Sequence, residues 1–216
     1  MKKLNIISGI LVAMLSSTAQ AISVGGVELA DLLNNVSAAN GDFLNYKSAV
    51  ATDVIDLTQI RLDLTDPDPA TYVLSVDPAA YLDMGFTGTS AVYNGLGDDL
   101  ALFFVGDNDT FRIQINGITN SYSPQTTPIP WTVTDPFATR NLTVALIELD
   151  DFGLVNSQAA LEEFRVFFGD PSRPALSLVG GFHTQAMSAV PLPLPALLFV
   201  SGLGLLGAIG RKRKQG

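Results

Sequence analysis

Thr110-Phe-Arg-Ile-Gln-Ile-Asn116 (TFRIQIN) alternates without a break. Phe111, Ile113 and Ile115 fall on one side of an extended chain, and Arg112, Gln114 and Asn116 fall on the other. That is the period-two pattern of a strand with one face in a core and one in water. Just upstream, Leu100–Gly106 (LALFFVG) is a nearly continuous apolar run, as is Leu142–Leu149 (LTVALIEL). Both fit central strands. Phe164–Gly169 (FRVFFG) and Ala175–Phe182 (ALSLVGGF) read as late strands, with Thr71–Val76 and Ser90–Gly95 as further candidates. Ile60–Thr65 (IRLDLT) also alternates, placing Ile60, Leu62 and Leu64 opposite Arg61, Asp63 and Thr65. The spacing predicts a strand there.

Asp-Pro, Gly and Pro clusters punctuate these runs: Asp66 to Pro69, Asp77-Pro78, Gly106 to Asp109, Pro128 to Pro130, Asp135-Pro136 and Asp170-Pro171. Two short stretches read as helical, Val27–Val36 (VELADLLNNV) and Ser157–Phe164 (SQAALEEF). Many short strands with such turns predict a mainly β fold, an antiparallel β-sandwich of jelly-roll type. An N-terminal signal helix and a C-terminal transmembrane helix are expected in addition.

The two ends carry their own patterns. Lys2 and Lys3 precede an apolar run from Leu4 to Leu15, and Ala19-Gln20-Ala21 supplies the small residues of a signal-peptidase site. This is the three-part pattern of a secretory signal peptide, cleaved after Ala21. At the other end, Ala196 to Gly210 is uncharged and almost wholly apolar. At roughly 1.5 Å per residue it is too short for a bilayer core, but starting at Val190 it reaches the roughly 20 residues that a spanning helix needs. Arg211, Lys212, Arg213 and Lys214 follow directly and place that end on the cytoplasmic side. The expected organisation is a signal peptide over 1–21, an extracytoplasmic domain over 22–189 and a sorting or anchoring segment over 190–216.

That ending has three parts: Val190-Pro191-Leu192-Pro193, a glycine-rich apolar helix through Gly210, and Arg211-Lys212-Arg213. It resembles the PEP-CTERM family of bacterial C-terminal sorting tails, in its VPLPA variant. A repeated Leu-Pro, Leu194-Pro195, sets the motif's alanine two residues later, at Ala196. The resemblance covers only the tail. It implies a Gram-negative host with an exosortase, a membrane protease-transpeptidase that processes such tails. It also implies an inner-membrane precursor that ends at the cell surface or in the extracellular matrix. The stretches Ala145–Leu154, Glu162–Asp170 and Pro174–Phe182 are similar to the closing strands of other passengers of this tail, which again implies a sandwich.

Composition narrows what the middle can do. The formal net charge is −9, but all 21 acids and only six of the twelve bases lie between the two ends, so the middle carries a charge near −15. Such a surface repels nucleic acid and anionic headgroups. Most of the acids are Asp, which favours turns and suits a loop-rich β protein. There is no cysteine, hence no disulfide, thiolate nucleophile or Cys-ligated metal.

Catalytic patterns are sparse. His183 is the only histidine, and no G-x-S-x-G elbow accompanies it. Asp98/Asp99, Asp150/Asp151 and Glu162/Glu163 are adjacent pairs, and neighbours on a strand face opposite ways, so they make poor dyads for glycoside hydrolysis. Asp107 and Asp109, flanking Asn108, place hard oxygens in a tight loop and are candidate ligands for a structural calcium. No other cofactor is expected.

The polar faces offer a binding candidate. Arg112, Gln114 and Asn116, with Arg61 and Asp63 on the second alternating stretch, carry planar hydrogen-bonding groups suited to sugar hydroxyls. Trp131 or Tyr122 is placed to stack on a sugar ring. The same residues also fit a plain solvent-facing sheet. The reading is a non-catalytic exported surface or matrix protein. A carbohydrate-binding or adhesive module of the exopolysaccharide matrix is the alternative, and a polysaccharide hydrolase or lyase the third reading. The expected partners are an exosortase-type enzyme, the membrane before processing, and exopolysaccharide, with no nucleic acid.

Overall fold

A computed structural model describes residues 21–47, 50–51, 54–87, 90–106, 109–134, 138–154, 160–169 and 174–186. The signal peptide with Ala19, the motif Val190–Pro193, the apolar run after it and the bases Arg211–Arg213 lie outside these residues. Ala21 is the first described residue and is exposed. Among the described residues no helix is long and apolar enough to cross a membrane.

The protein is mainly β. Its strands in chain order are β1 (Ile22–Val24), β2 (Val27–Leu29), β3 (Asp31–Leu32), β4 (Asn35–Asn40), β5 (Phe43–Lys47) and β6 (Val50–Ala51). After one helix, α1 (Leu57–Leu64), come β7 (Thr71–Ser75), β8 (Tyr81–Gly85), β9 (Ser90–Tyr93), β10 (Leu100–Val105), β11 (Phe111–Ile115) and β12 (Ile118–Tyr122). Then follow β13 (Gln125–Thr126), β14 (Thr132–Thr134), β15 (Thr139–Ile147), β16 (Ala160–Leu161), β17 (Phe164–Phe167), β18 (Leu176–Gly181) and β19 (Thr184–Ala186). Every strand pairing among the described residues is antiparallel.

A large sheet runs β13-β15-β10-β18-β7-β5-β6, with β14 also on β15 and β3 on β18. A five-stranded sheet runs β12-β11-β17-β8-β4. The apolar faces of these two sheets share one cluster. Leu100, Leu102 and Phe104 of β10 meet Phe111, Ile113 and Ile115 of β11 and Phe164 and Val166 of β17. The Phe104 and Phe111 rings lie 4.6 Å apart, and Phe43 meets Phe168 edge-on at 5.2 Å.

All six residues of β10 are buried because it is covered on both faces. Ala101, Phe103 and Val105 point away from the five-stranded sheet into a second cluster, with Val24, Val27 and Leu29 of the β1–β2 hairpin and Leu142, Val144 and Leu178. A register shift between Phe103 and Phe104 places Leu176 and Val179 of β18 on the same face, while Ser177 donates to the Pro69 carbonyl at 2.7 Å.

Two hairpins use primed turns. Val24 pairs with Val27 across Gly25 and Gly26, both at positive φ (56° and 82°). Ile115 pairs with Ile118 across Asn116 (51°) and Gly117 (78°). Positive φ at both central residues is what a type I′ turn requires, and Gly-Gly and Asn-Gly supply it with least strain.

Three expectations are corrected. Ile60–Thr65 is not a strand, because Leu57–Leu64 form α1. Asp56 caps it, accepting from the Gln59 backbone N–H at 2.9 Å. Ile60, Asp63 and Leu64 then share its buried face, and Leu62 is 60% exposed. Val27–Val36 is not helical, since it supplies β2, β3 and the start of β4. In the predicted helix over 157–164, none of the described residues is helical: Ala160–Leu161 form β16, which pairs with β9, Glu162 and Glu163 connect, and Phe164 opens β17.

Candidate functional site

The outward face of the five-stranded sheet carries the polar half of the alternating pattern. Arg112 and Gln114 project from β11, Arg165 and Phe167 from β17, Tyr81 and Asp83 from β8; all are partly exposed, while the residues between them are buried. Register aligns them in rows. Gln114 stands opposite Arg165, and Arg165 opposite Asp83; Arg112 stands opposite Phe167, and Phe167 opposite Tyr81.

The first row is held by charge. Arg165 Nε and Nη2 donate to the two Asp83 carboxylate oxygens at 2.6 and 2.8 Å. This bidentate pair holds the guanidinium above its ordinary pKa. The Arg165 guanidinium also lies 3.8 Å from the centre of the Tyr81 ring, and that of Arg112 lies 4.9 Å from the centre of the Phe167 ring. Each outward aromatic ring is therefore capped by an arginine. The buried Nε of Arg112 has no hydrogen-bond partner among the described residues.

At one end of the first row, Gln114 Nε2 donates to Thr119 Oγ1 at 3.2 Å. The Asn116-Gly117 turn stands beside it, and Glu163 accepts from the Ser37 hydroxyl. Asp83, Gln114, Asn116, Gly117, Glu163 and Arg165 together line an open groove of about 200 Å³. A second hollow, of about 240 Å³ and mainly apolar, lies between Tyr122 and the β15 residues Val144 to Leu146.

The structure places the sequence-predicted residues unequally. Arg112 and Gln114 project from one face of β11, and Asn116 stands in the turn that follows it; Gln114 and Asn116 line the groove, and Arg112 lies over Phe167 in the neighbouring row. Arg61 does not join them: it is on α1, its Nη2 donating to the Val36 carbonyl at 2.9 Å. Asp63 is 1% exposed and accepts from Asn45 Nδ2 and from Gln59 Nε2, so it serves the core rather than a ligand. Trp131 is 43% exposed but precedes β14 on the large sheet, its carbonyl accepting from Leu142 N–H. Tyr122 stacks between Phe111 and Phe152 and donates to Asp151 at 3.1 Å. Burial first, then that bond, raises its pKa. Of the calcium candidates, Asp107 lies outside the described residues, and Asp109 is exposed just before β11. No group of three or more potential metal-ligating residues occurs among the described residues.

Among the carboxylate pairs, Asp99 is not a solvated turn residue. It is fully buried, accepting from the backbone N–H of Gly95 at 2.6 Å and of Leu149 at 2.8 Å. Phe182 N–H donates to its carbonyl, and His183 Nε2 stands 3.9 Å from Oδ1. The lone histidine thus lies at the end of β18, beside a carboxylate already occupied by backbone donors.

Sequence reasoning missed Tyr81 and Asp83, did not single out Arg165, and weighed Glu163 only as half of an adjacent carboxylate pair. Asp83 and Arg165 each lie on a strand with one polar residue among apolar ones, Asp83 in Tyr81-Leu-Asp-Met and Arg165 in FRVF, which is a weaker signal than the alternation of TFRIQIN; the two-faced burial shows only in the fold.

No family model, curated protein or solved structure matches this chain.

Proposed function

We propose that the chain is an exported, non-catalytic protein of the cell surface or extracellular matrix, delivered by a PEP-CTERM-like tail. The observation that carries this reading is the three-part ending: Val190–Pro193, the apolar run to Gly210, and the bases from Arg211. The signal-peptide pattern up to Ala21 agrees with it. The passenger is read as a β-sandwich of jelly-roll type. Two antiparallel sheets packed on one apolar cluster, with a non-sequential strand order, support that reading. The structural duties of Asp56, Asp63, Asp83 and Asp99 support a non-catalytic role.

Intact mass and fractionation of the protein from its own host test the reading. The expected mass lacks Met1–Ala21 and everything beyond about Pro195, in the surface or matrix fraction. A mass lacking only the signal peptide, in the membrane fraction, overturns exosortase sorting and leaves a plain anchor.

A second reading, that the domain holds polysaccharide, is favoured by the polar groove on the five-stranded sheet. Retention on host exopolysaccharide tests it directly.

A further inference from the structure

We propose that the groove bounded by Gln114, Asn116, Glu163 and the Arg165–Asp83 pair is a binding site for a neutral polysaccharide, read by hydrogen bonds and not by ring stacking. The inference rests on the second reading above and specifies its site and ligand class. Three strands contribute an amide, a guanidinium and a carboxylate side by side in one register row, across roughly 10 Å of rigid sheet. The Asn116-Gly117 turn adds a second amide and Glu163 a second carboxylate. Donors and acceptors thus alternate over a short distance, which suits hydroxyl groups that both give and accept hydrogen bonds.

Charge selects against anions. Asp83 neutralises Arg165, and Glu163 leaves the groove net negative, within a region of the chain near −15. The capped rings decide the mode of contact. Arg165 covers Tyr81 and Arg112 covers Phe167, so neither ring presents a bare face to a sugar. Affinity per sugar is then low, and retention depends on several contacts along a polymer.

The test uses the protein recovered from its host, run through native gels containing dextran, galactomannan or alginate. The variant is Gln114→Ala with Asn116→Gly; glycine keeps the positive-φ turn, and the Arg165–Asp83 pair is untouched. Thr132→Ala, on the large sheet, is the control, and urea midpoints verify folding. Neutral polymer is expected to retard the wild type and the control. The double variant should lose affinity about tenfold or more, as expected for two lost hydrogen bonds. Equal retardation of the folded double variant overturns this site while leaving polysaccharide binding in place elsewhere. Retardation by alginate alone overturns the neutral-ligand assignment. Retention by no polymer, host exopolysaccharide included, overturns the second reading and the site with it.

Discussion

β10 and β11 follow one another in the chain and each packs one apolar face into the same cluster, yet they are built on different rules. β10 is buried at all six positions, because the five-stranded sheet covers one face and the β1–β2 hairpin covers the other. β11 is buried only at Phe111, Ile113 and Ile115, and it gives its other face to polar groups. The number of covered faces therefore decides whether a strand reads as a continuous apolar run or as an alternation. It also decides where variation is tolerated, and any ligand-reading surface has to sit on the one-sided strand.

The largest expected effects test that division. Phe103→Ala and Leu102→Ala point into opposite clusters, and each should destabilise by about 2–5 kcal/mol in urea denaturation. In β11, Ile113→Ala should fall in the same range, while Gln114→Ala should stay within about 0.5 kcal/mol of wild type. A cost below about 1 kcal/mol for Phe103→Ala would mean that the hairpin side is not a core, and the contrast would fail.

Next in size is Asp99→Ala, just before β10. It strips the acceptor from the buried Leu149 N–H and from the exposed Gly95 N–H. The orphaned Leu149 donor costs about 1–3 kcal/mol while water replaces the bond at Gly95, so a loss of about 1–3 kcal/mol is expected by the same denaturation measurement. A near-neutral result would show that water reaches this corner, and that β10 is less enclosed than its burial implies.

Most of this contrast was legible in the sequence. TFRIQIN and LALFFVG differ in period, and the two strands they form differ in covered faces as that period implies. α1 was not legible, because two residues break the helical rule in opposite senses. Asp63 occupies a buried position that an apolar residue usually takes, and it is tolerated because Asn45 and Gln59 donate to it. Leu62, between Arg61 and Asp63, faces solvent. Together they counterfeit the period of a strand. The cap was the better guide, since Asp56 three residues before Gln59 follows the spacing of a capping box. Likewise Val27–Val36 imitates a helix in its apolar spacing, while Gly25-Gly26 just before it marks a hairpin. The candidate site was half legible. Its β11 residues come from one stretch, but Asp83, Arg165 and Glu163 arrive from strands that only register brings alongside.

The cap offers a smaller test of this account. Asp56→Ala should destabilise by about 1 kcal/mol, and Asp56→Ser should restore most of that, both read from urea midpoints. No effect from either would leave α1 held by Ile60 and Leu64 alone.

The smallest expected effect lies on the open face. Arg165 and Asp83 form a bidentate pair, a geometry whose mutual coupling would reach several kcal/mol if fully desolvated, even though desolvation would offset its net worth. Their side chains are 34% and 15% exposed, however, so water and salt screen the attraction. A double-mutant cycle with Arg165→Met and Asp83→Asn should give a coupling of about 1 kcal/mol or less, shrinking as salt is raised. The Tyr81 ring under the guanidinium keeps the coupling towards the upper end of that range. A coupling of about 3 kcal/mol or more, insensitive to salt, would make this face behave like a core. The groove would then be a fixed structural network with no donors to spare for a sugar. A small, salt-dependent coupling leaves the pair as a pre-positioned donor and acceptor that can exchange water for hydroxyl groups at little cost.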